Sequence, residues 1–255
     1  MSIQSVERAI DILNAIAARR SPLSLQELAE SLNLAKTTIY TLAKTLKDKG
    51  FLQQDSSTRK YQLGFALYEL GSIQVSEIRI QRSAEPVLER LAQSTGAECR
   101  LGIWDRKSVL ITLSAHPASQ DRLTRQIGPR IPAYCTALGK AILASLNQED
   151  LKEYLESVKF VRYTDTTITS SEKLLDELEI IRTRGYSISD GELMNYRKSL
   201  AVPVFGNPKD VSGAISISIN QQSIITAKEE IIIDKLLRAA QEISMNLGFD
   251  PTIHS

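Results

Sequence analysis

Six of the eight charged residues between Ala35 and Lys60 are basic: Lys36, Lys44, Lys47, Lys49, Arg59 and Lys60 stand against Asp48 and Asp55. The window carries a net +4 in a chain whose total is +1, so the remainder is acidic. A local cationic surface attracts a polyanion whatever the total charge, because the attraction of phosphates acts over short distances. The window contains a helical pattern with Ile39, Leu42, Ala43 and Leu46 inward and Lys36, Thr37, Thr38, Tyr40, Thr41 and Lys44 outward. Cations that seek phosphates, mixed with short hydroxyls and a ring that touch base edges and thymine methyls, are the chemistry of a helix laid in a major groove. Arg59 and Lys60 follow on a hairpin, in position to press on the sugar-phosphate backbone.

A second group lies far downstream. Thr136-Ala137-Leu138-Gly139 opens a small-residue helix, and strands carrying Ser199, Ser216 and Ser218 are expected to face it. Free amides at a helix start and nearby hydroxyls together favour a small anion such as a carboxylate. Taken by spacing alone, Ser216 and Ser218 serve equally well as ordinary strand residues.

No set of nucleophile, base and orienting residue emerges. His116 precedes Pro117 in a polar loop, His254 lies near the last residue, and Gly139-Lys140 lacks the upstream glycine of a phosphate-binding loop. Cys99 and Cys135 read as buried apolar thiols, and with two histidines the chain shows no zinc-ligand spacing. An enzyme and a metal site are therefore not expected.

The elements that must position these residues follow from periodicity. The 255 residues are 42% hydrophobic and 24% charged, an ordinary globular balance with room for two domains. No run approaches the roughly 20 apolar residues of a membrane span, so a cytoplasmic protein is expected. Val6, Ala9, Ile10, Leu13, Ile16 and Ala17 form the inward stripe of a first helix that ends at Ser21-Pro22. Ser24-Leu25-Gln26-Glu27 has the capping-box pattern for a second helix, Asn33-Leu34 turns, and a third helix runs from Ala35 to Lys49 with Gly50 as its stop. Two strands, Phe51 to Gln54 and Arg59 to Leu63, flank the turn Asp55-Ser56-Ser57-Thr58. Helix, turn, helix and basic hairpin make a winged helix-turn-helix.

Gly64 to Arg82 predicts a long helix, serving as a linker and dimer seam or packing on its own chain. The next helix, EPVLERLAQSTG, holds Pro86 in its first turn and stops at Gly96. Beyond it, Ala97 to Trp104, Ser108 to Ala115, Leu200 to Phe205 and Ala214 to Ile219 read as strands of a mixed α/β module with a largely antiparallel sheet, joined by hairpins at Asp105-Arg106-Lys107 and Gly206-Asn207-Pro208. Thr169-Ser170-Ser171-Glu172 and Thr226-Ala227-Lys228-Glu229 have the capping-box pattern for two helices closed by Gly185 and Gly248. The expected division is 1–65 for the winged module, 66–83 for the linker helix and 84–255 for the sensing module, an α+β fold overall.

At this level the chain resembles the IclR family of bacterial transcriptional regulators. The resemblance rests on SVERAIDIL, LSLQELAESLNLAKTTIYTLAKTLKDKGFL, YQLGFALYELG, GPRIPAYCTALGKAILA, IRTRGYSISDGE, and LAVPVFG with SGAISISI, six stretches in order. It implies a homodimer or homotetramer that binds operator DNA, a GAF-like effector domain for a small metabolite, often an organic acid, and control of a catabolic operon by repression or activation without a cofactor. The effector residues it implies are Ala137, Leu138, Gly139, Asp190, Ser199, Ser216 and Ser218. The chain departs from the family at Thr41, where an arginine is common, at Ser189 in the usual acidic pair, at Ser199 in place of a cysteine, and at Tyr196 in place of a glycine. The competing reading, a metabolite-binding protein or enzyme without specific DNA binding, predicts ligand affinity or turnover and no operator preference.

Overall fold

A computed structural model describes residues 3–77, 79–105, 107–117, 130–207, 210–220 and 226–249. The chain divides into two compact units, Met1–Glu77 and Ile78–Ser255. The first contains α1 (Gln4–Arg19), α2 (Leu25–Leu32), α3 (Lys36–Asp48), β1 (Leu52–Gln54), β2 (Tyr61–Leu63) and α4 (Phe65–Glu77). Ile12, Ile16, Leu28, Ile39, Ala43, Leu52 and Tyr61 close its core.

The inward face of α1 differs from the expected stripe. Ile12 is fully buried, whereas Val6 and Ile10 are 52% and 50% exposed and Ala17 also faces solvent. The helix offers two overlapping apolar rows, and the one through Ile12 and Ile16 meets Leu28 and Ile39. At α2 the capping box is complete: Ser24 Oγ accepts from Glu27 N at 3.2 Å, and Glu27 accepts from Ser24 N at 2.7 Å. The Glu27 carboxylate also pairs with Lys60 at 3.4 Å, tying the helix start to the hairpin. Those hydrogen bonds and Lys60 hold its pKa at about 2, below the usual 4.5.

Three antiparallel pairs, from Leu52↔Leu63 to Gln54↔Tyr61, make the hairpin. Asp55 Oδ1 shapes its turn by accepting from Ser57 N at 3.0 Å and Thr58 N at 2.6 Å and from both hydroxyls, which drives its carboxyl far below the ordinary range. Arg59 and Lys60 belong to this turn, not to the strand expected from Arg59 onward, and Arg59 has φ 59°.

The second unit is built on a six-stranded antiparallel sheet in the order β5-β4-β3-β8-β7-β6. Its strands are β3 (Glu98–Asp105), β4 (Ser108–Ala115), β5 (Arg130–Ile131), β6 (Ser187–Asp190), β7 (Arg197–Asn207) and β8 (Asp210–Asn220). One face packs on α5 (Arg79–Thr95) and α9 (Thr226–Leu247) through Leu88, Leu91, Leu101, Leu200, Ile215, Ile217 and Ile243. The other packs on α6 (Ala137–Ser145), α7 (Gln148–Ser157) and α8 (Ser171–Arg184) through Ile111, Leu138, Ile142, Leu174, Leu178 and Ala201. Alternation serves both faces: Cys99 and Leu101 point to α5 and α9, and Arg100 and Gly102 point the other way.

β4 switches sides midway. Leu113 pairs with Leu101 and Ile111 with Gly102, so Thr112 is the extra residue of a bulge. Beyond it Leu113 and Ala115 join the α5/α9 core, while Val109 and Ile111 join the α6 core.

α4 lies in the first unit, and Ile80 and Ala84 of α5 are buried in the second unit's core, so the stretch 66–83 spans the end of one unit and the start of the other. Two local expectations are corrected. Pro86 sits inside α5, not in a first turn; it removes one helical hydrogen bond, and burial of Ala84, Val87 and Leu88 around it offsets that loss. The cap of α8 is Ser170, which accepts from Lys173 N at 3.3 Å, one residue beyond the expected Thr169. Gly185 and Gly248 close α8 and α9 with positive φ as expected. The cap side chain at Thr226 and the turn residue Pro208 lie outside the described residues.

Ser24→Ala should destabilise the first unit by about 1 kcal/mol, read as a lower midpoint in urea by far-UV circular dichroism. The Glu27 contribution, from a depressed pKa, should be complete above pH 4.5 and be lost as pH falls toward 2. An unchanged midpoint in the variant would contradict the capping role.

Candidate functional site

In the first unit, α3 exposes Lys36, Thr37, Tyr40, Thr41 and Lys44, while Thr38 is half-buried. Lys36, Tyr40, Lys44 and Arg59 line one cleft of about 430 Å³ between α3 and the hairpin, and Lys47 extends the row. Lys47 lies three residues beyond Lys44, a helical spacing visible in the sequence but not used there. Lys36 Nζ donates to Gln26 at 3.3 Å, and Thr41 Oγ1 donates to the Thr37 carbonyl at 3.0 Å. Lys44 has no acidic partner among the described residues, whereas Lys60 is held by Glu27 and would have to exchange that carboxylate for a phosphate. Asp48 also lines the cleft, and the excess of cations over this one acid, with a ring and hydroxyls on the same helix, suits a duplex nucleic acid.

The second unit encloses a cavity of about 500 Å³. Ala137, Leu138, Ser199, Ser216 and Ser218 line it as expected; Gly139 and Asp190 do not. A Cβ on Gly139 would overlap the backbone of Ala133, so this glycine allows close packing beneath the helix start. Its amide is already satisfied by the Thr136 cap at 3.2 Å, and the Thr136 hydroxyl donates to Pro132 O at 2.7 Å. Asp190 is exposed because β6 alternates: Ser187 and Ser189 turn inward, bonding the carbonyls of Ala137 and Cys135, and Asp190 turns out. Its carboxylate therefore does not face a cavity ligand.

The strongest charges in the cavity escaped the sequence reading. Arg100 donates from Nε to Glu98 Oε1 at 2.8 Å, and Arg197 donates from Nη2 to Glu98 Oε2 at 2.5 Å and to Ser218 Oγ at 3.0 Å. Ser199 and Ser218 hydroxyls lie 3.1 Å apart. Register explains the grouping: Glu98↔Ser218 and Ser199↔Ser218 form one row, Arg100↔Ser216 and Arg100↔Ser114 the next. Ile111, Ile131, Leu138, Leu193 and Met194 supply apolar lining. Cys135 also lines the cavity, but burial pushes its thiol up to about 12, so it is not a thiolate nucleophile near neutrality.

Behind the cavity, Lys140 of α6 is 2% exposed and meets Glu192 at 2.6 Å and Glu177 at 3.3 Å. Burial raises the pKa of Glu192 although Lys140 opposes the shift. Glu192 sits between Gly191 and Leu193, so this pair fastens the β6–β7 loop, with its lining residues Leu193 and Met194, to the helix that starts at the cavity. In the same loop Tyr196 is 80% exposed at φ 66°, a left-handed backbone natural to glycine. Tyr196 does not line the cavity described here.

Known proteins match along nearly the whole chain. The family model described as the IclR helix-turn-helix domain matches residues 5–56, and that described as bacterial transcriptional regulator IclR C-terminal matches residues 73–245. The HTH-type transcriptional regulator KdgR of Escherichia coli is 31% identical over 97% of this chain and 94% of its own. The E. coli HTH-type transcriptional regulator XynR is 32% identical over 97% of this chain and 98% of its own. The crystal structure of an IclR transcriptional regulator from Alicyclobacillus acidocaldarius superposes with a TM-score of 0.82 at 27% identity, covering 97% of this chain and all of that one.

Lys140→Met should lower stability by about 3 to 5 kcal/mol, because it leaves the Glu192 carboxyl buried without its cation. Urea unfolding measures this, and a loss below about 1 kcal/mol would show that the pair does not hold the loop.

Proposed function

The chain belongs to the IclR family of bacterial transcriptional regulators, DNA-binding proteins and not enzymes, and we propose that this member is a ligand-responsive regulator of a catabolic operon, controlled by a small organic acid. In this reading residues 1–65 read operator DNA, 66–83 join the modules, and 84–255 bind the effector. The observation that carries the proposal is the presence in one chain of a helix-and-hairpin cleft with Lys36, Lys44, Lys47 and Arg59 against Asp48, and a separate cavity with two arginines on one glutamate. The first suits phosphates and base edges. The second suits a small anion.

Lys36, Lys44, Arg59 and Lys60 take phosphates in this proposal, and Thr37, Thr38, Tyr40 and Thr41 meet bases or sugars. Ala137, Leu138, Ser199, Ser216 and Ser218 contact the effector, while Gly139 and Asp190 support the site from outside it. A two-fold homodimer or homotetramer reading two half-sites is part of the same proposal, since one winged module makes few contacts. Phe65 and Tyr68 of α4, 71% and 75% exposed, support it as apolar surface open to a second copy. No helix among the described residues is long and apolar enough to cross a membrane, and we place the protein's work in the cytoplasm with the DNA.

The test is fluorescence anisotropy with a duplex from the protein's own upstream region and single-base variants of it. Lys44→Ala should weaken binding to all sequences alike and flatten the dependence of log affinity on log salt by roughly one unit; Thr37→Ala should relax discrimination at particular bases. Unchanged binding by both folded variants would overturn the interface.

A further inference from the structure

We infer that the effector is an aliphatic hydroxy-monocarboxylate, its carboxylate held by Arg100 and Arg197 and its hydroxyls by Ser114 and Ser216. The inference rests on reading the 500 Å³ cavity as the effector site.

Charge comes first. Among the described lining residues the guanidiniums and carboxylates are Arg100, Arg197 and Glu98, an excess of one cation. A ligand with one negative charge neutralises it, whereas a dianion such as a phosphate monoester would leave an excess of the opposite sign in a partly desolvated site. Glu98 spans the two guanidiniums, one oxygen to each, and so holds like charges close together before any ligand arrives. Arg100 uses Nε and Nη2 on Glu98, and Arg197 uses Nη2 on Glu98 and Ser218; other N–H groups of each fork have no partner among the described residues.

Hydroxyl placement comes second. Ser114 and Ser216 are 8% and 3% exposed, both line the cavity, and both flank Arg100 in register on adjacent strands. Neither hydroxyl has a hydrogen-bond partner among the described residues. Strand spacing sets the two hydroxyls on either side of the row, roughly 10 Å from backbone to backbone. The next row ends the polar surface: Gly102 pairs with Ala214 and Ile111, and Leu138 lies 3.2 Å from where a Gly102 Cβ would stand. The rows thus run from Glu98 with Ser199 and Ser218, through Arg100 flanked by Ser114 and Ser216, to carbon. A purely apolar acid filling this space would bury Ser114 and Ser216 without partners, which is the arrangement that rejects a ligand lacking hydroxyls.

Calorimetric titration of the full-length protein tests this with glycerate and gluconate as hydroxy acids, hexanoate and benzoate as acids without a hydroxyl on the chain, and sorbitol as the neutral polyol. Glycerate or gluconate should bind at least roughly ten-fold more tightly than hexanoate, benzoate and sorbitol. Arg100→Gln should weaken the hydroxy acid by roughly ten-fold or more, and Ser216→Ala should weaken it similarly while hexanoate, relieved of one buried unpartnered hydroxyl, binds no more weakly than to the wild type. A merely structural serine would not separate the two acids. If an arginine variant fails to fold, as its melting transition shows, the Ser216→Ala comparison and the wild-type ranking still decide. Benzoate or hexanoate binding more tightly than both hydroxy acids, with that binding lost in Arg100→Gln, would overturn the ligand class and leave the effector site standing. Hydroxy-acid binding indifferent to Arg100→Gln, Arg197→Gln and Ser216→Ala would remove both. Heat from none of the five compounds overturns the ligand class.

Discussion

The pairing of β3 with β8, and of β8 with β7, sets the positions of most groups that matter in the second unit. Both faces of these strands are covered, so a slip of one residue would turn Arg100 and Glu98 into the packing of α5 and α9 and send Leu101 and Cys99 into the cavity. Registry is therefore enforced twice, by apolar burial on one side and by the Glu98–arginine contacts on the other. The bulge at Thr112 does for β4 what alternation alone cannot. It lets Leu113 and Ala115 fill one core, Ile111 and Val109 the other, and Ser114 face the cavity.

From that sheet the cavity is completed by elements of different stiffness. The start of α6 is clamped by the Thr136 cap and by Gly139 lying against Ala133, so that wall has little freedom. The opposing β6–β7 loop is held chiefly by charge: Lys140 meets Glu192, Thr167 Oγ1 donates to the Glu192 carbonyl at 2.7 Å, and Tyr196 keeps a strained backbone. A ligand that touches Leu193 or Met194 works on this loop directly. Such a rigid wall facing a loop held by a few polar contacts is a physical basis for a site whose occupancy changes the energy of its surroundings.

Much of the fold was legible from periodicity. The capping box at Ser24, the left-handed turn at Asn33 and the inward row of α3 are local features, and local rules located them. On α1 packing chose Ile12 over Ile10, and at α8 the cap falls on Ser170, whose hydroxyl accepts from Lys173 N, not on Thr169. Pro86 lies mid-helix because tertiary burial outweighs a missing hydrogen bond, which no local rule weighs. Site residues divided similarly. Ser199, Ser216 and Ser218 were legible as hydroxyls on strands, but Asp190 was misplaced by one step of strand parity and Gly139 by one step around a helix. Arg100, Arg197 and Glu98 stayed hidden because charges 99 residues apart come together only when strand order and register are known, and sequence periodicity carries neither.

The central claim is that DNA and a small acid act on one protein with a shared free energy. Linkage makes the effect reciprocal: whatever factor the acid applies to operator affinity, the operator must apply to acid affinity. The direct measurement is calorimetric affinity of the bound hydroxy acid for the free protein and for the protein saturated with its operator duplex. The account predicts a change of roughly five-fold or more, matched by the shift in operator affinity at saturating acid. Equal acid affinities with and without operator would contradict it.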